Sequence, residues 1–245
     1  MRTHAEYELR LISVETHTST IKTFTFDASG SGFSFTAGQY LRLELEGVAG
    51  DPRGNRRDFS ISSPATNRGE YISVTTTIEP NDSPFKHTLN TLKPGDRAKI
   101  VGPFGSFTLE PLSKDVEVVL VAGGMGITPF RSIIHTELKI GSRKRITLLY
   151  SAKTAENLVF KQEFDELSAK HQNFKAYYTL TRPSEAQNYR VGRIDAEYVR
   201  SLTHPKESVY YIAGPPAMVE DLSQQLAEKL SLSPQQVKVE KFTGY

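Results

Sequence analysis

The sequence predicts two domains of different kinds: an antiparallel β domain first, then an α/β domain built on a parallel sheet. Three observations predict this. Up to about residue 110, short strand candidates recur at close intervals between turn clusters. Beyond that point, apolar strands alternate with helical segments. At the head of the second part, the run Val118-Val119-Leu120-Val121-Ala122 ends in Gly123, Gly124 and Gly126, and helical spacing follows at once.

In the first half, strand candidates lie at 9–14, 21–26, 40–45, 57–61, 71–77 and 97–101, several with alternating polarity. Turn clusters at 27–32, 47–55, 64–69 and Lys93-Pro94-Gly95-Asp96 separate them. Strands this short and regular suit an antiparallel barrel or a sandwich. One short helix is expected near 84–92. The boundary falls within 109–114, giving domains 1–110 and 111–245. Past it, strands at 116–122, 146–150, 174–180 and 209–213 alternate with helices at 127–139, 160–170 and 216–230. The last helix carries Met218, Val219, Leu222, Leu226 and Leu230 on one face. A final strand is expected at 237–242. Strand–helix alternation implies a parallel sheet with right-handed crossovers. No internal repeat or low-complexity segment interrupts the pattern.

Composition narrows the function classes. A content of 38% hydrophobic and 24% charged residues fits a folded globular chain. A net charge of +2 gives no electrostatic reason to expect nucleic acid as the partner. No apolar run approaches the roughly 20 residues that cross a bilayer, and residues 1–10 carry no apolar signal core, so a cytoplasmic protein is expected. With no cysteine, the 245 residues supply no disulfide, thiolate nucleophile or cysteine-held metal cluster. The six histidines are scattered without metal-ligand spacing, so no metal site is expected.

The glycine turn is the strongest chemical signal. Glycines without Cβ atoms let a bulky group approach the backbone. Pro129 suits the first turn of a helix, and Ile127, Phe130, Ile133, Ile134 and Leu138 follow at helical spacing. Free N–H groups and the helix dipole favour an anion there, so Gly123, Gly124, Gly126, Ile127 and Thr128 are candidates to hold a phosphate-bearing cofactor. Gly124 and Gly126 fit the first two glycines of a dinucleotide fingerprint, while Pro129 takes the third place. The alternative is a tight strand-to-helix turn with no ligand. A β half followed by a nucleotide-type half suggests two cofactor-sized ligands, or a cofactor and a substrate, meeting at the domain cleft.

Three more motifs stand in register with this turn. They are Arg57-Asp58-Phe59-Ser60 preceded by Gly38-Gln39-Tyr40, Gly102-Pro103-Phe104-Gly105, and Gly214-Pro215-Pro216-Ala217-Met218 after the strand at 210–213. In order and spacing they resemble the ferredoxin–NADP reductase superfamily, over essentially the whole chain from Tyr7 to Phe242. The resemblance implies an N-terminal FAD-binding β-barrel and a C-terminal, Rossmann-like NAD(P)-binding domain. It implies that Arg57 and Asp58 belong to the flavin motif, with Arg57 forking onto the flavin diphosphate. Phe59, on the same side of the strand as Arg57, would pack on the isoalloxazine, and Ser60 would hydrogen-bond flavin N5.

The second phosphate clamp of relatives corresponds to Asp82-Ser83-Pro84-Phe85-Lys86-His87-Thr88 and departs from their pattern. Ser83 reads as an N-cap, so the N–H groups of Phe85, Lys86 and His87 are expected to be available to phosphate, with Lys86 adding charge. Thr75 and Thr77 share one strand face and are expected at the flavin edge.

In the second domain, Gly214, Pro215 and Met218 are expected beside the nicotinamide, although relatives often place Cys where this chain has Ala213. Two registers are open at the tail: Glu240 with Phe242 as acidic residue and stacked aromatic, or Tyr245 stacked as the last residue. Thr181-Arg182 resembles the family's contact to a 2′-phosphate, with Arg190 nearby, and Lys153 stands where an NAD-type acid is usual; NADPH is expected, with NADH possible. The implied function is hydride transfer from NAD(P)H to FAD and electron delivery to an external acceptor, such as ferredoxin, flavodoxin or a small molecule. The alternatives are a non-catalytic flavin-binding accessory subunit or redox sensor, and the reductase component of an oxygenase complex.

Overall fold

A computed structural model of the chain describes residues 5–65, 69–109, 112–113, 116–182 and 189–243. It divides into two compact units, Met1–Leu109 with Arg131–Thr136, and Glu110–Phe130 with Glu137–Tyr245.

The first unit is an antiparallel sheet of six strands. These are β1 (Glu6–Thr16), β2 (Ile21–Asp27), β3 (Tyr40–Glu44), β4 (Arg56–Ser60), β5 (Tyr71–Thr77) and β6 (Arg97–Phe104), in the order β4-β3-β6-β1-β2-β5. A bridge between Ile61 and Val74 joins the two ends, so the sheet closes into the expected barrel. Alternation drives this. Leu9, Leu11, Phe24, Phe26, Leu41, Leu43, Ile72, Val74 and Ile100 point inward into one buried cluster. Each such side chain contributes roughly 1.5–3 kcal/mol by leaving water. β6 runs on through Gly102-Pro103 to Phe104, beyond the expected end at residue 101, and a register shift between Tyr40 and Arg42 absorbs the irregularity. Helix α1 (Pro84–Thr91) follows β5, with Ser83 as its N-cap as expected and Phe85 and Leu89 buried.

The second unit is a six-stranded parallel sheet. Its strands are β7 (Glu117–Gly123), β8 (Arg145–Ala152), β9 (Phe174–Leu180), β10 (Arg190–Val191), β11 (Ser208–Gly214) and β12 (Val237–Lys241). Their order is β10-β9-β8-β7-β11-β12. The helices are α2 (Ile127–Lys139), α3 (Lys161–Lys170), α4 (Ala196–Leu202) and α5 (Pro216–Leu230). β7 lies between β8 and β11 and is buried along its whole length, which is why its sequence is an unbroken apolar run. The sequence reading missed β10, only two residues long, and α4, a seven-residue helix whose one local signal is Asp195 capping the Tyr198 N–H.

The chain order along this sheet matters. From β7 it proceeds to β8, β9 and β10 on one side, then returns to β11 and β12 on the other. The switch point lies between β7 and β11, and open parallel sheets bind ligands at the carboxyl ends of the strands flanking such a point.

Candidate functional site

In the first unit, strand pleat and helix cap bring six of the candidate residues together. Arg57 and Phe59 share one side of β4, and both reach Phe85 in the first turn of α1: the Arg57 guanidinium carbon lies 5.0 Å from the Phe85 ring centre, and the Phe59 and Phe85 rings are 6.1 Å apart. Thr77 accepts from Lys86 Nζ at 3.1 Å, and Ser83 Oγ accepts from the Lys86 N–H at 3.4 Å. Thr75 shares Thr77's face, but its hydroxyl sits within a buried chain, 2.8 Å from Thr23 Oγ1 and 2.9 Å from Ser62 Oγ. Ser60 ends β4 and is buried. Asp58 lies on the opposite side of the strand, where Arg42 holds it through two bonds of 2.8 and 3.0 Å. The alternation that unites Arg57 with Phe59 therefore takes Asp58 out of the cluster.

The expected open N–H groups of α1 are a point of correction. The Phe85 N–H donates to Asp51 Oδ2 at 3.0 Å, the Lys86 N–H to Ser83 Oγ, and the His87 N–H to Ser83 O at 3.1 Å. Arg57 is engaged too: Nη2 donates to Asp51 Oδ2 at 2.6 Å, and Nη1 to the carbonyls of Arg53, Gly54 and Arg56. Asp51, which sequence reasoning missed, is thus the hub of this cluster, with its side chain 1% exposed. Loss of solvent pushes its carboxyl upward, but the Arg53 and Phe85 N–H groups and the Arg57 guanidinium outweigh this and hold it down at about 2. Lys86 is paired likewise, with Asp82 at 3.3 Å. The third donor of the Arg57 guanidinium, Nε, is buried without a hydrogen-bond partner among the described residues. An anion brought to this seat would answer that orphan donor, so the residues suit a phosphate group.

In the second unit, the glycines prove unequal. A Cβ on Gly126 would meet Ala213 O at 2.1 Å, and one on Gly123 would meet Met218 Sδ at 2.2 Å. Both bare faces are filled by the protein, because the turn after β7 packs directly against the end of β11 and the start of α5. This corrects the expectation that they leave room for a ligand. Gly124 is the one that does: its φ is +51°, and the space where a Cβ would stand is open. A short 3₁₀ turn (Gly124–Gly126) leads into α2, with no side-chain cap on it. Ile127 is buried, and Thr128 Oγ1 donates to Met125 O at 3.0 Å, so both fix the turn from within.

The parallel register places the remaining candidates at the same carboxyl edge. Ala213 pairs with Glu240 and Gly214 with Lys241, and the Phe242 N–H continues the ladder to Gly214 O at 2.9 Å. Pro215 is exposed beside them and opens α5. Tyr245 lies outside the described residues. On the other flank, the Thr181 N–H donates to Ala152 O at 3.0 Å and the Arg182 N–H to Lys153 O at 2.8 Å, so Thr181, Arg182 and Lys153 cap the ends of β8 and β9 and are themselves exposed. Arg190 is already committed: it bonds Asp195 Oδ2 at 3.2 Å and Arg193 O at 2.6 Å and lies 4.1 Å over the Tyr198 ring. No cluster of acidic or histidine side chains among the described residues could hold a metal ion.

Residues 120–224, the segment that carries this switch point, match the oxidoreductase NAD-binding domain family. The chain belongs to the ferredoxin–NADP reductase superfamily. Over 161 residues this superfamily member is 31% identical to a component of the Na(+)-translocating NADH-quinone reductase of Marinomonas sp. (strain MWYL1), and equally to its counterpart in Yersinia enterocolitica. Those matches cover 63% of this chain and 39% of the relatives, so the chain spans well under half of their length. Solved structures share the fold over nearly the whole chain. An Amycolatopsis cytochrome P450 reductase superposes with a TM-score of 0.83 at 24% identity, covering 98% of this chain and 71% of that one. A ferredoxin NADP+ reductase from Neisseria gonorrhoeae, solved with FAD and NADP, gives 0.80 at 22% identity, covering 98% and 99%.

Proposed function

We propose that the chain is a flavoprotein reductase that takes a hydride from NAD(P)H onto FAD and delivers the electrons to an external acceptor. The observation that carries this reading is the coincidence of the NAD-binding family match with the β7–β11 switch point, where Gly124 offers bare, left-handed backbone before a helix. FAD, when bound, supplies the hydride-accepting ring. The chain's own residues bind and orient. Arg57 and the Phe85 N–H would hold phosphate, Phe59 would pack on the ring system, and Ser60 would present its hydroxyl to the reacting edge. In the second unit, Gly124 and the start of α2 would hold the nicotinamide dinucleotide, with Gly214, Pro215 and Glu240 beside them.

NADPH is the preferred donor. Lys153 and Arg182 bring two exposed cations to adjoining strand ends, the right place and charge for a 2′-phosphate, while Arg190 is withdrawn by Asp195. Because these 245 residues hold no cysteine, the acceptor is a separate molecule or chain rather than a thiolate-held cluster within them. The test is steady-state oxidation of NADPH and of NADH by FAD-supplemented protein, with ferricyanide, free flavin and ferredoxin as acceptors. The reading expects turnover that depends on FAD and is faster with NADPH. Flavin binding without turnover of either nucleotide would leave only the accessory-subunit reading.

A further inference from the structure

The two cations best placed for a flavin phosphate are each neutralised by the chain itself, Arg57 by Asp51 and Lys86 by Asp82. The Asp51 pairing is the deeper one. Its Oδ1 accepts from the Arg53 N–H at 2.9 Å, which pins the turn between β3 and β4. Its Oδ2 accepts from Arg57 Nη2 and from the Phe85 N–H at the start of α1. One carboxylate oxygen thus takes a guanidinium fork and a helix N-terminal donor together, which is the donor set a phosphate oxygen seeks. The side chain is 1% exposed, so it is seated in the cluster and does not hover over it.

We propose that Asp51 is an internal anion that occupies the phosphate seat and must be displaced from Arg57 and α1 for a flavin phosphate to bind. This rests on the reading of the first unit as a flavin site. The consequence is an exchangeable flavin whose phosphate competes with a tethered carboxylate. The turn that carries Asp51 would serve as a plug, held when the seat is empty and released when it is filled. The nucleotide part of the flavin would feel the competition, and the ring part would not.

The experiment compares wild type with Asp51→Asn, binding FAD, FMN and riboflavin separately, read by flavin fluorescence. The Asn keeps an oxygen for the Arg53 N–H, so the turn is retained, but it turns an amide against Arg57 and Phe85. Asp51→Ala is the second variant, in case the new amide disturbs α1. Loss of a charge-assisted competitor predicts FAD and FMN dissociation constants about tenfold lower in both variants. Riboflavin, without phosphate, should bind all three proteins alike. Unchanged or weaker FAD binding in the variants overturns the proposal and makes Asp51 a positioning residue for Arg57. Failure of wild type to bind any flavin, riboflavin included, would instead sink the flavin-site reading and the proposal with it.

Discussion

Gly126 and Gly124 stand two positions apart in one turn and are glycine for different reasons. At Gly126 a side chain would collide with the backbone of β11 at Ala213, which cannot swing aside. Gly126→Ala should therefore destabilise the chain by at least the roughly 1–3 kcal/mol of an overpacked site, seen as a lower urea midpoint. At Gly124 the space is open and only the left-handed backbone resists a side chain. Gly124→Ala should cost about 1–2 kcal/mol and still fold, but bind nicotinamide dinucleotides more weakly. A second residue-scale expectation concerns donor choice. Arg182→Ala removes one of the two cations that cap β8 and β9. The KM for NADPH should rise about tenfold or more while that for NADH moves less than about twofold, as loss of one charge-assisted contact requires. Equal change for both nucleotides would place Arg182 away from the 2′-phosphate.

At the scale of elements, one contact ties three pieces of the first unit: Asp51 fastens the β3–β4 turn to β4 through Arg57 and to α1 through Phe85. The carboxyl sits at about 2, below its ordinary 3.8, so its contribution to stability is present above about pH 4 and is lost as the pH falls from there through 2. Wild-type stability against urea should therefore fall more steeply across that window than that of Asp51→Asn, and parallel curves would contradict the assignment. This contact also marks the limit of what was legible beforehand. Period-two alternation located Arg57 and Phe59 on one side of β4, and the Ser83–Pro84 pair located the start of α1, because both signals are local. The unbroken apolar run at 118–122 identified a central parallel strand. Asp51 meets the Phe85 N–H across 34 positions of sequence, and no local rule brings them together. The same holds for Gly123 and Gly126, read as bare to a ligand although β11 and α5 arrive from far along the chain to cover them. The two-residue β10 and the seven-residue α4 are too short to show a period.

For the whole molecule, each unit contributes one seat with its own chemistry. The first offers cations, an aromatic pair and a buried hydroxyl; the second offers open backbone at a topological switch point. Among the described residues no helix is long and apolar enough to cross a membrane. The relatives matched are much longer than this segment of shared sequence, so the identity of the acceptor belongs to experiment and not to likeness. The central claim is that this one chain takes reducing equivalents from a nicotinamide onto a flavin. Its most direct measurement is a single anaerobic turnover, in which FAD-loaded protein is mixed rapidly with NADPH and, separately, with NADH while the visible flavin band is followed. The account predicts that the band bleaches with both and faster with NADPH. A flavin that stays bound and fully oxidised in the presence of either nucleotide would contradict it.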